Sequence, residues 1–199
     1  MTNPARLWIF AYGSLLFRPP SSVEKKVRGV ARGYERAFNV LSTDHRGVPE
    51  QPGRVANLVK SQSDSSCGGM AYLIVAGKEA EVLAELDERE AGGYKRIKVP
   101  FESKDRQQSL KVEVLAYSVP EGAAECINDE SLAQKAQAIS DAEGPSGSNL
   151  AYVLNLVDAL DELNFQEDSL LELMNLLVDP DEVFAKEDDG HKSEKVDTP

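Results

Sequence analysis

The apolar residues are spaced for strands over most of this chain and for helices in its last third, and that division restricts the fold more than any other feature. In the first half, LWIFAYG, VRGVARGYERAFNV, RVANLV and GGMAYLIV are rich in β-branched and aromatic residues and are interrupted by Gly, Pro and Ser. That is the pattern of short strands between turns. STDHRGVPEQPGR has the composition of a loop. Two more strand-like runs, KRIKVPF and LKVEVLAYSV, come later, and the alternation in the second sends one face inward. The last third differs. SLAQKAQAISDAE, NLAYVLNLVDALDEL and EDSLLELMNLLV read as amphipathic helices, with Leu150, Val153, Leu154, Val157 and Leu160 at helical spacing in the middle one. Strands first and helices afterwards, with one helix between, predict an α+β fold: a small mixed β-barrel or curled sheet with flanking helices. The 199 residues suffice for one sizeable core, assigned to a single domain over 1–185. The charged remainder, 186–199, is expected to be a disordered acidic tail.

Several function classes are excluded early. A net charge of −12 argues against nucleic acid as a partner. Residues 1–60 carry ten Lys or Arg against four acids, so that segment is +6 and the rest is −18. A basic N-terminal part suits a small anionic ligand. No apolar run approaches the roughly 18 residues that span a bilayer. LWIFAYGSLLF is interrupted by Tyr-Gly-Ser, and no small-residue cleavage site follows it closely. Cys67 and Cys126 lie far apart without metal or redox spacing, which fits a reducing cytoplasm, a disulfide between them being the alternative. No cluster of His, Cys and acids has metal-ligand spacing.

Glu85–Tyr94, ELDEREAGGY, places four acids in six positions and then two glycines. The preceding KEAEVLAE consists of helix formers, and Val82, Leu83 and Leu86 mark an apolar face. At about 100° per residue, Glu90 falls roughly 40° from Leu86, on that face. Glu85 and Asp87 lie to either side and Glu88 opposite. Gly92 and Gly93 end the helix, putting Glu90 in its last turn near the negative end of the macrodipole. Partial burial and that dipole both make the Glu90 carboxylate more basic, as a proton carrier near neutral pH requires. If the helix ended at Asp87 instead, Glu90 would be a surface residue.

Two Gly-Ser turns are the other candidates. In FAYGSLLF, Phe10–Phe17, consecutive N–H groups around Gly13 can form an anion-binding nest for a carboxylate or a developing oxyanion. In AEGPSGSNLAY, Ser148 is placed to cap the following helix. The loop before it lacks the Walker lysine and the dinucleotide glycine pattern, so nucleotide is not its ligand. There is no G-x-S-x-G elbow, and His45 is the one histidine that could serve as a base in a folded hydrolase. Cys67 has no basic neighbour in sequence and reads as an ordinary thiol.

FAYGSLLFRP, RGYERAF, STDHRGVPEQPGRVANLV, GGMAYLI, LDEREAGGY, VLAYS and GPSGSNLAYVLNL occur in the order of the corresponding blocks of the ChaC-type γ-glutamylcyclotransferases. The chain resembles that family from about Leu7 to Leu160. The resemblance implies a γ-glutamylcyclotransferase-like fold and cleavage of glutathione to 5-oxoproline and cysteinylglycine, without metal or cofactor. It implies Glu90 as catalytic acid/base and Tyr12, Gly13, Ser14, Leu15, Leu16 and Phe17 as the turn that binds the γ-glutamyl group. It also brings Tyr117 near the substrate. Asn39, Ala151 and Phe17 stand where the family more often has tryptophan, an acid and tryptophan, departures that bear on the leaving-group side.

The chemistry so implied is intramolecular. Attack of the α-amine on the γ-carbonyl closes a five-membered lactam, and holding that chain curled contributes about 7–11 kcal/mol for a well-aligned pair. Backbone N–H groups from Gly13 to Leu15 hold either the oxyanion or the α-carboxylate. Arg18, Arg46 and Arg54 are candidate anion partners. The expected partner is a small molecule, glutathione or another γ-glutamyl compound, with no nucleic acid or membrane. The alternatives are action on γ-glutamyl amino acids or γ-glutamylamines, and an inactive γ-glutamyl-binding regulator.

Overall fold

The structure is a computed structural model that describes residues 6–61, 64–105 and 110–177; the expected tail, 186–199, lies outside them. The strands are β1 (Trp8–Ala11), β2 (Val23–Arg32), β3 (Tyr34–Ser42), β4 (Gly53–Lys60), β5 (Ser66–Ile74), β6 (Lys95–Ser103) and β7 (Lys111–Ser118). Two-residue strands β8 (Glu143–Gly144) and β9 (Gly147–Ser148) form a small hairpin. The helices are α1 (Glu79–Arg89), α2 (Leu132–Asp141), α3 (Asn149–Glu162) and α4 (Asp168–Leu177).

Five strands close into a barrel in the order β1-β5-β2-β6-β7, and β3–β4 form a separate antiparallel ribbon. The barrel pairs are antiparallel except at the seam, where β1 runs parallel to β7 with Ile9 opposite Leu115. The fold is therefore α+β with a mixed barrel and flanking helices. VRGVARGYERAFNV, continuous in its β pattern, is split at Gly33, whose φ of 75° only glycine adopts at little cost. The split sends β2 into the barrel and β3 into the ribbon.

Alternation along β1 feeds two cores. Phe10 and Tyr12 enter the larger one with Phe38, Ala56 and Leu58 of the ribbon and Tyr152, Leu156 and Leu160 of α3. Ile9 joins the smaller one with Leu15, Tyr72, Val82, Leu86 and Tyr117. Val82 and Leu86 are fully buried, each worth about 1.5–3 kcal/mol, and they seat α1 against the barrel.

The inward face of α3 is rotated from the one its apolar spacing predicts. Asn149, Tyr152, Val153, Leu156 and Leu160 are buried, while Leu154 is 40% exposed. Asn149 and Tyr152 have polar tips and drop out of a purely apolar count, yet both have partners inside. Asn149 accepts from the Arg54 N–H at 2.5 Å and donates to the Arg54 carbonyl at 3.0 Å. The Tyr152 hydroxyl accepts from the Ala56 N–H at 3.1 Å.

Candidate active site

Glu90 sits where α1 stops. It is the C-cap, its N–H still donating to the Leu86 carbonyl at 2.8 Å, one residue past the helix in which the sequence places it. With Val82 and Leu86 turned inward, Glu85, Asp87 and Glu88 are exposed, whereas the Glu90 side chain keeps 14% of its surface. Burial raises the pKa of its carboxyl, against the opposing pull of Arg89, 3.8 Å away, and of His45.

The turn after β1 faces it. Ser14–Leu16 form one turn of 3-10 helix, whose first N–H groups, Ser14 and Leu15, have no partner within the turn. Arg89 ties the end of α1 to this turn by donating to the Arg18 carbonyl at 2.9 Å and to the Ser14 hydroxyl at 3.4 Å. Tyr12, Gly13, Ser14, Leu15, Tyr117 and Glu90 all line one small pocket of about 30 Å³, room for about two water-sized groups. Leu16 and Phe17 serve packing instead. Leu16 lies against both cores, and the Phe17 ring meets the Tyr152 ring edge-on at 5.9 Å. Tyr117 borders the pocket, but its hydroxyl is taken up elsewhere, donating to Asp87 at 2.8 Å.

A larger cleft of about 540 Å³ adjoins this pocket, and Ser14, Glu90, Tyr94 and Tyr152 line both. Its volume is in the range of small-ligand sites. Arg18, His45, Arg46 and Arg89 give its wall a basic side, with Asp44 and Glu125 also present. Asp44 lies 2.9 Å from the His45 Nδ1, and Glu125 packs against Gly93. Arg46 sits 5.7 Å over the Tyr152 ring and donates to the Ser148 carbonyl.

Arg54, grouped with Arg18 and Arg46 by sequence, is not available to an anion. It is buried, its Nε and Nη2 donate to the two carboxylate oxygens of Glu130 at 2.8 and 2.6 Å, and Nη1 bonds the Pro52 carbonyl. Cys67 and Cys126 are free thiols. Burial pushes the Cys67 thiol up to about 12, so it is not a nucleophile. Among the described residues no three His, Cys, Asp or Glu side chains converge as a metal site.

Several contributors lie within the sequence blocks quoted above, but no local pattern there assigns them these roles. Arg36, on β3, is buried and donates to the Tyr12 carbonyl and the Gly68 carbonyl, each at 2.8 Å, while pairing with Glu167 just ahead of α4. The loop after β3 and the β8–β9 hairpin meet backbone to backbone. The Ser146 N–H donates to the His45 carbonyl at 2.9 Å, and a Cβ on Gly144 would stand 2.4 Å from that oxygen. Tyr94 and Tyr152, whose phenols burial holds above the ordinary value, complete the pocket.

The fold and site together are those of a small closed barrel with a half-buried carboxylate set between a Gly-Ser turn and a partly basic cleft of small-ligand size. The chain belongs to the ChaC-like protein family, which it matches over residues 7–179. It is 37% identical to the human glutathione-specific γ-glutamylcyclotransferase 1, over 78% of this chain and 70% of that one. It is 32% identical to γ-glutamylcyclotransferase 2-1 of Arabidopsis thaliana, over 85% and 81%. A crystal structure of a γ-glutamyl cyclotransferase specific to glutathione from yeast superimposes with a TM-score of 0.80 at 25% identity, covering 86% of this chain and 95% of that one.

Proposed function

We propose that this chain is a γ-glutamylcyclotransferase that cleaves glutathione to 5-oxoproline and cysteinylglycine. The observation that carries this reading is the position of Glu90. It is a carboxylate made more basic by burial, at the junction of a pocket that admits only a small group and a cleft that admits a peptide. The names of the relatives above point to the same substrate.

The α-amine of the substrate arrives mostly as ammonium. Glu90 takes one proton from it and frees the lone pair. The nitrogen attacks the γ-carbonyl carbon, the C–N bond of the lactam forms, and the π pair moves onto oxygen. Glu90 then returns its proton to the nitrogen of the leaving dipeptide. It relays the surplus proton of the ring nitrogen to the same amine as the scissile C–N bond breaks. Cysteinylglycine leaves as an ammonium, and Glu90 ends as it began. Ser14 and Leu15 line the small pocket, and their N–H groups, without a partner in the turn, are the donors for the γ-glutamyl end, while Arg18 and Arg46 offer positive charge to the peptide in the cleft. Two free thiols suit a reducing cytosol.

The test is product analysis. Purified protein given glutathione should release 5-oxoproline and cysteinylglycine in equal amounts. In a panel with γ-glutamyl amino acids and γ-glutamylamines, glutathione should have the highest kcat/KM. Glutathione ranking last would overturn the substrate, and no 5-oxoproline from any compound would overturn the activity.

A further inference from the structure

Four tyrosines line the small pocket, and, Tyr117 being bonded to Asp87, the protons of the other three are not equally engaged. Tyr12 donates its hydroxyl to the Tyr117 carbonyl at 2.7 Å. Tyr94 donates to the Ala56 carbonyl at 2.8 Å. The Tyr152 oxygen is an acceptor, taking the Ala56 N–H at 3.1 Å. A phenol has one proton to donate, and among the described residues none accepts that of Tyr152. A buried donor with no acceptor calls for an explanation.

Its surroundings fix where that oxygen lies. The Phe17 ring meets Tyr152 edge-on at 5.9 Å, and the Arg46 guanidinium lies 5.7 Å over its face. A Cβ on Gly13 would stand 3.3 Å from the hydroxyl, so the phenol is set against the turn that follows β1. Tyr152 and Glu90 line the same two cavities. Burial raises the phenol to about 12, against the pull of the Ala56 N–H and of Arg36 and Arg46, so it keeps its proton at neutral pH and that proton is there to donate.

We propose that Tyr152 is a catalytic residue whose hydroxyl donates a hydrogen bond to the γ-carbonyl oxygen as that oxygen becomes an oxyanion. The inference rests on the cyclotransferase reading of the site. No proton is transferred by Tyr152. When the amine attacks, the π pair localises on the carbonyl oxygen and the phenol O–H stabilises it; when the pair returns and the scissile C–N bond breaks, the bond to Tyr152 weakens. A donor fixed in advance for charge that develops only in the transition state lowers the barrier without tightening substrate binding. The N–H groups of Ser14 and Leu15, in the turn beside it, remain for the rest of the γ-glutamyl group.

The test is Tyr152→Phe in the full chain, with glutathione as substrate and Glu90→Gln measured in parallel. The expected result is kcat lower by about 10²–10³-fold with KM held, the loss seen when one oxyanion donor is removed. Wild-type kcat in Tyr152→Phe, or a loss carried wholly by KM, would overturn the proposal. Full activity in Glu90→Gln would instead overturn the cyclotransferase reading beneath it. Should Tyr152→Phe fail to fold, 2,3,5-trifluorotyrosine placed at 152 keeps the hydroxyl and makes it far more acidic. Its activity should then fall with rising pH in a range where the wild type holds steady, and a wild-type profile would refute the role of Tyr152.

Discussion

The turn that faces Glu90 is held from below by a buried ion pair, and breaking that pair should cost both stability and catalysis. The Arg36 side chain is 1% exposed and that of Glu167 is 17% exposed. Arg36 also donates to the Tyr12 and Gly68 carbonyls, and Glu167 accepts from the Gly68 N–H at 3.2 Å. Removing one partner of a buried pair costs about 3–5 kcal/mol. Arg36→Met also orphans two buried carbonyls, each costing about 1–3 kcal/mol, so it belongs at the upper end of that range. Glu167→Gln keeps an acceptor and belongs at the lower end, about 3 kcal/mol, or roughly 6–12 °C in Tm for a chain of this length. Urea denaturation of both single variants and the double variant should give a coupling energy of about 1–3 kcal/mol. Because Arg36 holds the Tyr12 carbonyl, the folded fraction of Arg36→Met should also turn over more slowly. Single-variant losses that add within about 0.5 kcal/mol would refute the argument that the two charges depend on each other.

Other outcomes follow from Glu90 and from the loop contact. Folding favours the protonated form of Glu90, since burial raises its pKa above the ordinary 4.5. That contribution is intact below the ordinary value and is lost as pH rises through the folded one. Glu90→Gln should therefore melt above the wild type at neutral pH, with the gap closing under acid conditions; a lower Tm at pH 7 would contradict the burial argument. For the same reason the acid limb of kcat/KM should report an apparent pKa above the ordinary glutamate value, and a limb at or below 4.5 would contradict it. Gly144→Ala must push apart backbone that meets at His45 and Gly47, so KM for glutathione should rise as the cleft wall shifts; an unchanged KM would show that this contact does not shape the cleft.

What could be read from the sequence was whatever depends on local periodicity. The apolar stripe of α1 and the Gly-Gly that follows it placed Glu90 within one residue of its position, because helix geometry alone decides which side chain turns inward. The order of strands and helices gave the mixed barrel for a similar reason. The rest depends on contacts between distant segments. Arg36 and Glu167 are 131 residues apart and Arg54 and Glu130 are 76 apart, so no window shows that one arginine is used inside the fold and another is paired beside the cleft. Tyr152 was hidden in another way. An apolar count along α3 passes over a residue whose ring is core and which lines the pocket, and it points to Leu154, which is exposed. Arg18 and Arg46 cannot be told from Arg54 in the sequence, which shows charge and not partners.

The most direct test of the proposed chemistry is single-turnover release of 5-oxoproline from glutathione by wild type and by Glu90→Gln, both shown to be folded by circular dichroism. If the half-buried carboxylate at the end of α1 carries the proton, the variant should lose at least about 10²-fold in rate while remaining at least as stable at neutral pH. A folded Glu90→Gln protein that releases 5-oxoproline at close to the wild-type rate would mean that the proton travels by another route.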